Sequence, residues 1–200
     1  MSRFDADEPW GAGEPERTAG DMRQRLRGMR AEVVARLHNL WRKSLGCHYD
    51  EAVSSLAATV KFTRDPDPGI RASAFGLLTH RWPGAPELEE MCKETIKQDL
   101  DVEVRCAAVA YLGKLYRATA NREVAEFLAR IARDEAQAAD VRGIAYMKFF
   151  RVWGMRMPLD DALKLAKLKD GLFPEGLDWS VIDSLLSDRG DNQVWGTGRM

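Results

Sequence analysis

A short motif occurs three times in the middle of the chain, and this internal repeat constrains the fold more than any other feature. Each copy has a β-branched residue, then an Arg, then an Ala three positions after the Arg. The copies are Ile70-Arg71-Ala72-Ser73-Ala74, Val104-Arg105-Cys106-Ala107-Ala108 and Val141-Arg142-Gly143-Ile144-Ala145. The arginines are 34 and 37 residues apart, a period that is typical of stacked helical repeats.

A second apolar pattern precedes each motif, with the three-to-four-residue spacing of a helix that buries one face. These stripes are Val53, Leu56, Ala57 and Val60; Leu88, Met91, Cys92, Thr95 and Ile96; and Val124, Phe127, Leu128, Ile131 and Ala132. The turn Asp65-Pro66-Asp67-Pro68-Gly69 cannot continue a helix and separates the first stripe from its motif. Asp67, Asp101 and Asp140 are predicted to cap the second helices. The sequence therefore predicts repeated helix pairs.

The two ends of the chain follow the same pattern less closely. An apolar stripe from Met22 to Trp41 predicts a helix that caps the array and stops at Gly46. A degenerate fourth pair is predicted from Leu159, Ala162, Leu163 and Ala166, followed by a helix with Val181, Ile182, Leu185 and Leu186. Residues 1–20 are predicted to be a disordered acidic segment, residues 21–187 the helical repeat domain, and residues 188–200 a flexible tail.

The segment Asp65-Pro66-Asp67-Pro68-Gly69-Ile70-Arg71-Ala72-Ser73-Ala74 resembles the HEAT-repeat signature, in which Asp-Pro leads into Val-Arg-x-x-Ala. Asp99 to Arg105 is similar without the proline, whereas Asp134 lies eight residues before Arg142 instead of six. The resemblance implies an all-α, right-handed α-α superhelix of about four HEAT-like helix pairs with an N-terminal capping helix. It also implies structural roles for Asp65, Arg71, Asp99, Arg105 and Arg142, with Asp and Arg pairing between neighbouring repeats.

Charge is distributed unevenly, although the formal net charge is only −1. No Asp or Glu occurs in residues 70–86, 104–122 or 141–159, which contain the second helices and the turns that follow them. The first helices are acidic, and residues 86–103 carry seven carboxylates against Lys93 and Lys97. In HEAT arrays the second helices line the concave surface, so the resemblance implies a basic inner face, which would attract anionic partners.

Helix phase predicts which basic residues point outward. Successive residues of an α-helix are rotated by about 100° around its axis. If the motif Ala marks the buried side, His80, Lys114 and Arg151 lie on the opposite side of their helices. They stand beside a shallow face formed by Gly76, Ala110 and Met147. The predicted partner-binding residues are His80, Arg81, Lys114, Arg117, Lys148 and Arg151. Trp82, Tyr116 and Trp153 recur eleven positions after each Arg, and their phase predicts packing between repeats rather than stacking on a ligand.

The sequence gives little support for catalysis. The histidines are not spaced with the cysteines as a metal site requires, and neither a phosphate-binding glycine loop nor a Gly-x-Ser-x-Gly turn is present. We therefore predict no catalytic residue, metal or cofactor. Three scattered cysteines and an acidic N-terminus without an apolar signal segment favour a reducing compartment, so a cytoplasmic protein without a membrane span is expected.

Three hypotheses for function follow. The first is a non-enzymatic binding scaffold or adaptor whose basic concave face docks an acidic protein surface or segment. The alternative is a nucleic-acid-binding HEAT-like protein, against which the sequence pI of about 6.3 argues. The third is a HEAT-like DNA glycosylase, which would need a carboxylate on the inner face, where the second helices offer none.

Overall fold

The computed structural model describes residues 35–167 and 172–187. The chain divides into two compact units, Met1–Leu40 and Trp41–Met200, and residues 35–40 of the first unit are helical. Predictions for residues 1–20, for the stripe from Met22 to Val33 and for the tail at 188–200 lie outside the described residues. Within the described ranges every regular element is a helix, so the all-α prediction is confirmed.

In the second unit a helical segment at 41–45 ends at Gly46, whose left-handed φ of +53° stops the helix as the sequence predicts. Two 3-10 turns are formed by Gly46–His48 and Pro86–Leu88. The α-helices that follow among the described residues are α1 (Tyr49–Ala52), α2 (Leu56–Phe62), α3 (Pro68–Arg81), α4 (Glu89–Gln98), α5 (Val102–Leu115), α6 (Arg122–Arg133), α7 (Ala139–Val152), α8 (Leu159–Leu165) and α9 (Ser180–Ser187).

The helices that carry the repeated motif begin at side-chain caps in two of three cases. The Asp67 carboxylate accepts hydrogen bonds from two backbone N–H groups at the start of α3, and Asp101 does the same for α5, which satisfies donors that a helix start leaves unpaired. The predicted cap at Asp140 is wrong, because the N-cap of α7 is Ala138, two residues earlier, and Asp140 lies within the first turn. The turn before α7 is longer and is organised by Asp134, whose carboxylate accepts the Ala136 N–H at 3.0 Å.

The helices pack in pairs, α2 on α3, α4 on α5 and α6 on α7. The second member of each pair also contacts the second member of the next, so α5 lies between α3 and α7. We call α3, α5 and α7 the central helices, and α2, α4 and α6 the flanking helices. The segments that begin at the three repeated motifs are therefore neighbours in space.

The motif alanines explain how the central helices pack. Ala74, Ala108 and Ala145 are fully buried, and their small side chains permit close approach. The large apolar residues seven positions after each Arg are also fully buried; they are Leu78, Leu112 and Phe149. Burial of such a side chain stabilises the fold by about 1.5–3 kcal/mol, so the inward direction assigned from helix phase is confirmed.

The first predicted stripe, Val53 to Val60, is broken into two short helices. Ser55 accepts the Ala58 N–H at 3.1 Å and so caps the start of α2. Ala57 is exposed, whereas Thr59 and Phe62 form the buried face. The predicted stripe is therefore met in part: Leu56 and Val60 pack against the core, whereas Ala57 does not.

The stripe predicted for α8 is wrong. Leu159 and Leu163 are 73% and 55% exposed, and Asp161 and Leu165 are buried instead. The Asp161 carboxylate accepts hydrogen bonds from the Tyr146 hydroxyl at 2.6 Å and from a backbone N–H at 3.2 Å. This buried polar contact turns the Asp161 face toward α7, because a buried carboxylate must be hydrogen-bonded.

Candidate functional site

The arginine of the first motif is fully engaged in structural contacts. Arg71 donates two hydrogen bonds of 2.8 Å to the two carboxylate oxygens of Asp99, and its third nitrogen donates to the Asp65 and Pro66 carbonyls at 2.9 Å. Both side chains are largely buried. This two-pronged geometry suits a guanidinium and a carboxylate, and it links the turn of the first helix pair to that of the second.

The other two motif arginines also donate to turn carbonyls. Arg105 donates to the Asp99 carbonyl at 2.7 Å, and Arg142 donates to the Ala132 carbonyl at 3.0 Å. The Arg142 guanidinium also lies 3.9 Å from the centroid of the Phe173 ring. Among the described residues, Arg105 forms no ion pair with Asp134. The turn that contains Asp134 is longer than the turn that contains Asp99.

A groove of about 330 Å³ lies beside the Arg71–Asp99 pair, between α2 and α4. Its lining includes Arg64 and Arg71 as well as Glu94 and Asp99. Since both signs of charge line it, the groove has no preference for one charge in a ligand.

Four cations gather where the central helices α5 and α7 end, and we call them the basic cluster: Lys114, Arg117, Lys148 and Arg151. Lys114 and Arg151 are exposed in the last turns of α5 and α7, and Arg117 is exposed just after α5. Lys148 is half-buried one turn before Arg151. All four were predicted as partner-binding residues.

Contact between α5 and α7 brings Lys148 into the cluster. The methylene stem of Lys148 lies against Gly113, and a β-carbon placed on Gly113 would be 2.5 Å from the Lys148 Cβ. Real Cβ atoms do not approach this closely, so the contact requires glycine. The Lys148 stem therefore crosses α5 immediately before Lys114, which places the two lysines side by side.

Lys114 connects the cluster to the first central helix. Its ammonium donates to the Thr79 carbonyl in the last turn of α3. Carbonyls in the last turn of a helix have no partner within that helix and carry partial negative charge. A structural role thus accounts for one of the donors of Lys114.

The positive charges of the cluster repel one another, and no carboxylate of residues 35–167 and 172–187 pairs with them. Burial, and next Arg117, lower the pKa of Lys114; burial, and next Arg151 and Lys114, lower the pKa of Lys148. Among the described residues, no carboxylate forms an ion pair with any member of the cluster. Like charges without counter-charges favour the binding of an anion.

A lysine of the flanking helices has the opposite environment. Lys93 on α4 lies within 2.5–3.2 Å of the carboxylates of Glu89, Glu90 and Glu123. Burial tends to lower its pKa, but these carboxylates raise it well above the ordinary lysine value. Carboxylates of the flanking helices therefore balance the charge of Lys93, whereas no described carboxylate pairs with the basic cluster.

The loop between α5 and α6 is held against the end of α7. The Ala118 N–H donates to the Arg151 carbonyl at 2.8 Å, and the Ala120 N–H donates to the Val152 carbonyl at 2.9 Å. Both alanines have left-handed backbones, with φ of +57° and +51°, which is unfavourable for any residue with a β-carbon. This loop positions Arg117, and sequence reasoning missed it because alanine gives no turn signal.

His80 and Arg81 lie at the end of α3, where the predicted shallow face is covered. The Trp41 ring lies 5.5 Å from the His80 ring, and a β-carbon on Gly76 would be 2.6 Å from the Trp41 Nε1. The prediction of an accessible face at Gly76 is therefore wrong. Arg81 is exposed, with its guanidinium 5.8 Å from the Trp82 ring centroid.

The recurring aromatics pack against the core, as helix phase predicts. Trp82, Tyr116 and Trp153 are all partly buried against it. The Tyr116 hydroxyl donates to the Glu89 carboxylate, and the Trp82 carbonyl accepts the Tyr111 hydroxyl at 3.0 Å.

Neither known proteins nor other sites among the described residues indicate what the chain does. No protein-family model, curated protein sequence or solved structure matches the chain. In residues 35–167 and 172–187, no group of His, Cys, Asp and Glu side chains is arranged to hold a metal ion, and no helix has the length and apolar character to cross a membrane.

Proposed function

We propose that this chain is a non-enzymatic binding scaffold, and that the basic cluster docks an acidic surface or segment of another protein. The observation that carries the proposal is the set of four cations at the ends of α5 and α7, among which no described carboxylate forms an ion pair. An acidic segment would relieve the mutual repulsion of these cations, so binding would recover electrostatic free energy that the free chain lacks.

We further propose that the helix pairs form a right-handed superhelix of the HEAT type, with the central helices on its concave side. The stacking of α3 on α5 and of α5 on α7 supports this arrangement, as does the pair that Arg71 and Asp99 form between successive turns. In such a superhelix the basic cluster would line a hollow, where low-dielectric walls strengthen its field.

An acidic protein segment suits the cluster better than a nucleic acid does. The unbalanced cations are confined to one end of two neighbouring helices, and the flanking helices carry acidic residues such as Glu90 and Glu94, which are exposed. A nucleic acid backbone presents a charge about every 1.7 Å along the duplex axis and is bound by long basic tracks. A short acidic segment can contact the cluster without approaching the flanking acids.

The proposal is tested by fluorescence titration of the full chain with a labelled poly-glutamate peptide, and separately with duplex and single-stranded DNA, at about 50 and 200 mM salt. The triple variant Lys114→Glu, Arg117→Glu, Arg151→Glu reverses three exposed cluster cations. We expect it to weaken peptide binding at least about tenfold, which is about 1.4 kcal/mol.

The matched control reverses three exposed cations on or just after the flanking helices: Arg64→Glu, Lys97→Glu, Arg130→Glu. It changes the net charge equally, so peptide binding should be close to that of the unaltered chain if position matters. Equal losses in both triple variants would overturn the proposal. Steeply salt-dependent DNA binding without peptide binding would replace it with the nucleic-acid alternative.

A further inference from the structure

Of the two amino groups in the basic cluster, that of Lys148 is the less engaged. Among the described residues it donates no hydrogen bond and forms no ion pair, whereas Lys114 donates to a carbonyl and Lys93 contacts three carboxylates. Half-buried lysines are normally paired because an isolated ammonium is costly to remove from water. Lys148 lacks that compensation.

The stem of Lys148 is fixed although its amino group is not. Three of its carbons, Cβ, Cγ and Cδ, lie against Gly113, within 2.5–2.7 Å of where a β-carbon would stand. The packing removes much of the rotamer freedom that a lysine stem has in solvent. The packed stem therefore keeps the amino group close to Arg151 and Lys114, whose charges act on it, although no hydrogen bond to a described residue fixes its position.

The surroundings of Lys148 favour its neutral form. Burial lowers its pKa, and the charges of Arg151 on its own helix and Lys114 on the adjacent helix lower it further. A lower pKa leaves a larger fraction of free amine at neutral pH, and the free amine is the nucleophile. The remaining cations also attract an anionic reagent to this amine.

We propose that Lys148 is a site of selective Nε-acylation by anionic acyl donors of the acyl phosphate class. The nitrogen lone pair of the free amine attacks the carbonyl carbon, and a carbon–nitrogen bond forms. The bond from that carbon to the phosphate oxygen breaks, and inorganic phosphate leaves with the electron pair. The nitrogen then releases a proton to solvent, which leaves a neutral amide at Lys148.

Acylation would discharge one of the four cations and add bulk beside Arg151. This consequence rests on the proposed function: acylation of Lys148 would switch off docking, because the acylated cluster would bind an acidic segment more weakly. The chemical selectivity of Lys148 is independent of any partner and can be measured separately.

The test incubates the full chain with acetyl phosphate near pH 7.5 and follows initial acetylation of each lysine by mass spectrometry. Lys97, an exposed lysine of α4, is the reference, and Lys93 is the paired control. Lys148 is expected to react measurably faster than Lys97, since a lowered pKa raises the free-amine fraction and the neighbouring cations attract the anionic donor. A rate at Lys148 equal to or below that of Lys97 would overturn the proposal.

The variant Arg151→Gln tests the cause, and its exposed position makes it a mild change. It should slow acetylation at Lys148 severalfold and leave Lys97 unchanged, because the pKa of Lys148 rises when a neighbouring cation is removed. An unchanged Lys148 rate contradicts the electrostatic explanation. With an uncharged acetyl succinimidyl ester the preference for Lys148 should shrink, and an equal preference would contradict the role of donor charge.

The two proposals can fail separately. Ordinary reactivity of Lys148 would remove the acylation site and leave peptide binding by the cluster untouched. Loss of the proposed docking function, seen as equal peptide binding by both triple variants, would leave the acetylation ratio of Lys148 to Lys97 unaffected.

Discussion

The Arg71 guanidinium and the Asp99 carboxylate share two hydrogen bonds of 2.8 Å, and this pair connects the first helix pair to the second. Asp99 also accepts the Asp101 N–H at 2.9 Å, next to the cap of α5. One carboxylate thus fixes both the turn between α4 and α5 and the contact with α3.

Asp99→Asn is expected to lower the free energy of unfolding by about 1–2 kcal/mol, because a charge-assisted, largely buried contact becomes a neutral one. Urea denaturation measures the change. Asp134→Asn is the matched control, since Asp134 is exposed and accepts the Ala136 N–H; its effect should stay below about 0.5 kcal/mol. Equal losses in the two variants would contradict a special role for the Arg71–Asp99 pair.

The contribution of this pair should depend on pH in the acid range. Burial tends to raise the pKa of the Asp99 carboxyl, but hydrogen bonds from Arg71 and from the Asp101 N–H outweigh it and lower the pKa. A carboxyl whose pKa is lower in the folded than in the unfolded state stabilises the fold fully above the unfolded pKa of about 3.9. This stabilisation is lost as the pH falls through the folded pKa. The stability difference between the unaltered chain and Asp99→Asn should therefore shrink below about pH 4; a constant difference would disprove the pairing.

Gly113→Ala is expected to destabilise the fold by about 1–2 kcal/mol. The added methyl would overlap the Lys148 Cβ, which is attached directly to the α7 backbone, so the helices must separate. This cost exceeds the gain of about 1 kcal/mol from replacing glycine within a helix. Gly84→Ala is the control, because a β-carbon there would meet no atom within 4 Å. Stabilisation by Gly113→Ala would show that α5 and α7 do not approach this closely.

Ala120→Gly is expected to stabilise the protein by a few tenths of a kcal/mol to about 1 kcal/mol. Its left-handed φ of +51° is costly for alanine, and glycine removes that cost at the expense of greater freedom in the unfolded chain. The comparison is Ala110→Gly inside α5, which should destabilise by about 1 kcal/mol. Denaturation curves of the two variants should therefore move in opposite directions, and a shift in the same direction would refute the loop conformation.

Local patterns in the sequence were sufficient for the middle of the fold. The motif alanines are buried, and Asp67 and Asp101 cap the helices that follow them, because caps and apolar spacing act over a few residues. Asp140 fails as a cap because the turn before it is longer than the other two. The eight-residue spacing from Asp134 to Arg142 was visible in the sequence, but its effect on the start of α7 was not.

Contacts between distant residues could not be read from the sequence. The buried face of α8 depends on Asp161 accepting hydrogen bonds from Tyr146 and from the Asp178 backbone, groups that lie 15 and 17 residues away. Trp41 likewise covers Gly76, and the apolar spacing along the chain does not predict that these two segments meet. Both are tertiary contacts, which override local apolar spacing.

The members of the basic cluster were predictable, but their relationship was not. Helix phase and the absence of acidic residues predicted that Lys114 and Arg151 face outward, and both are exposed. The contact of Lys148 with Gly113 requires the distance between two helices, and Arg117 depends on a loop of left-handed alanines. The sequence therefore indicated which cations are exposed, and the structure shows which of them are neighbours.

Docking of an acidic segment at the basic cluster is tested most directly by an NMR titration of the isotope-labelled full chain with an unlabelled poly-glutamate peptide. We predict that backbone amide shifts change most at residues 113–118 and 147–153, which carry the basic cluster, and that these changes disappear in Lys114→Glu, Arg117→Glu, Arg151→Glu. Changes concentrated on the flanking helices, or spread evenly over the chain, would contradict docking at the cluster.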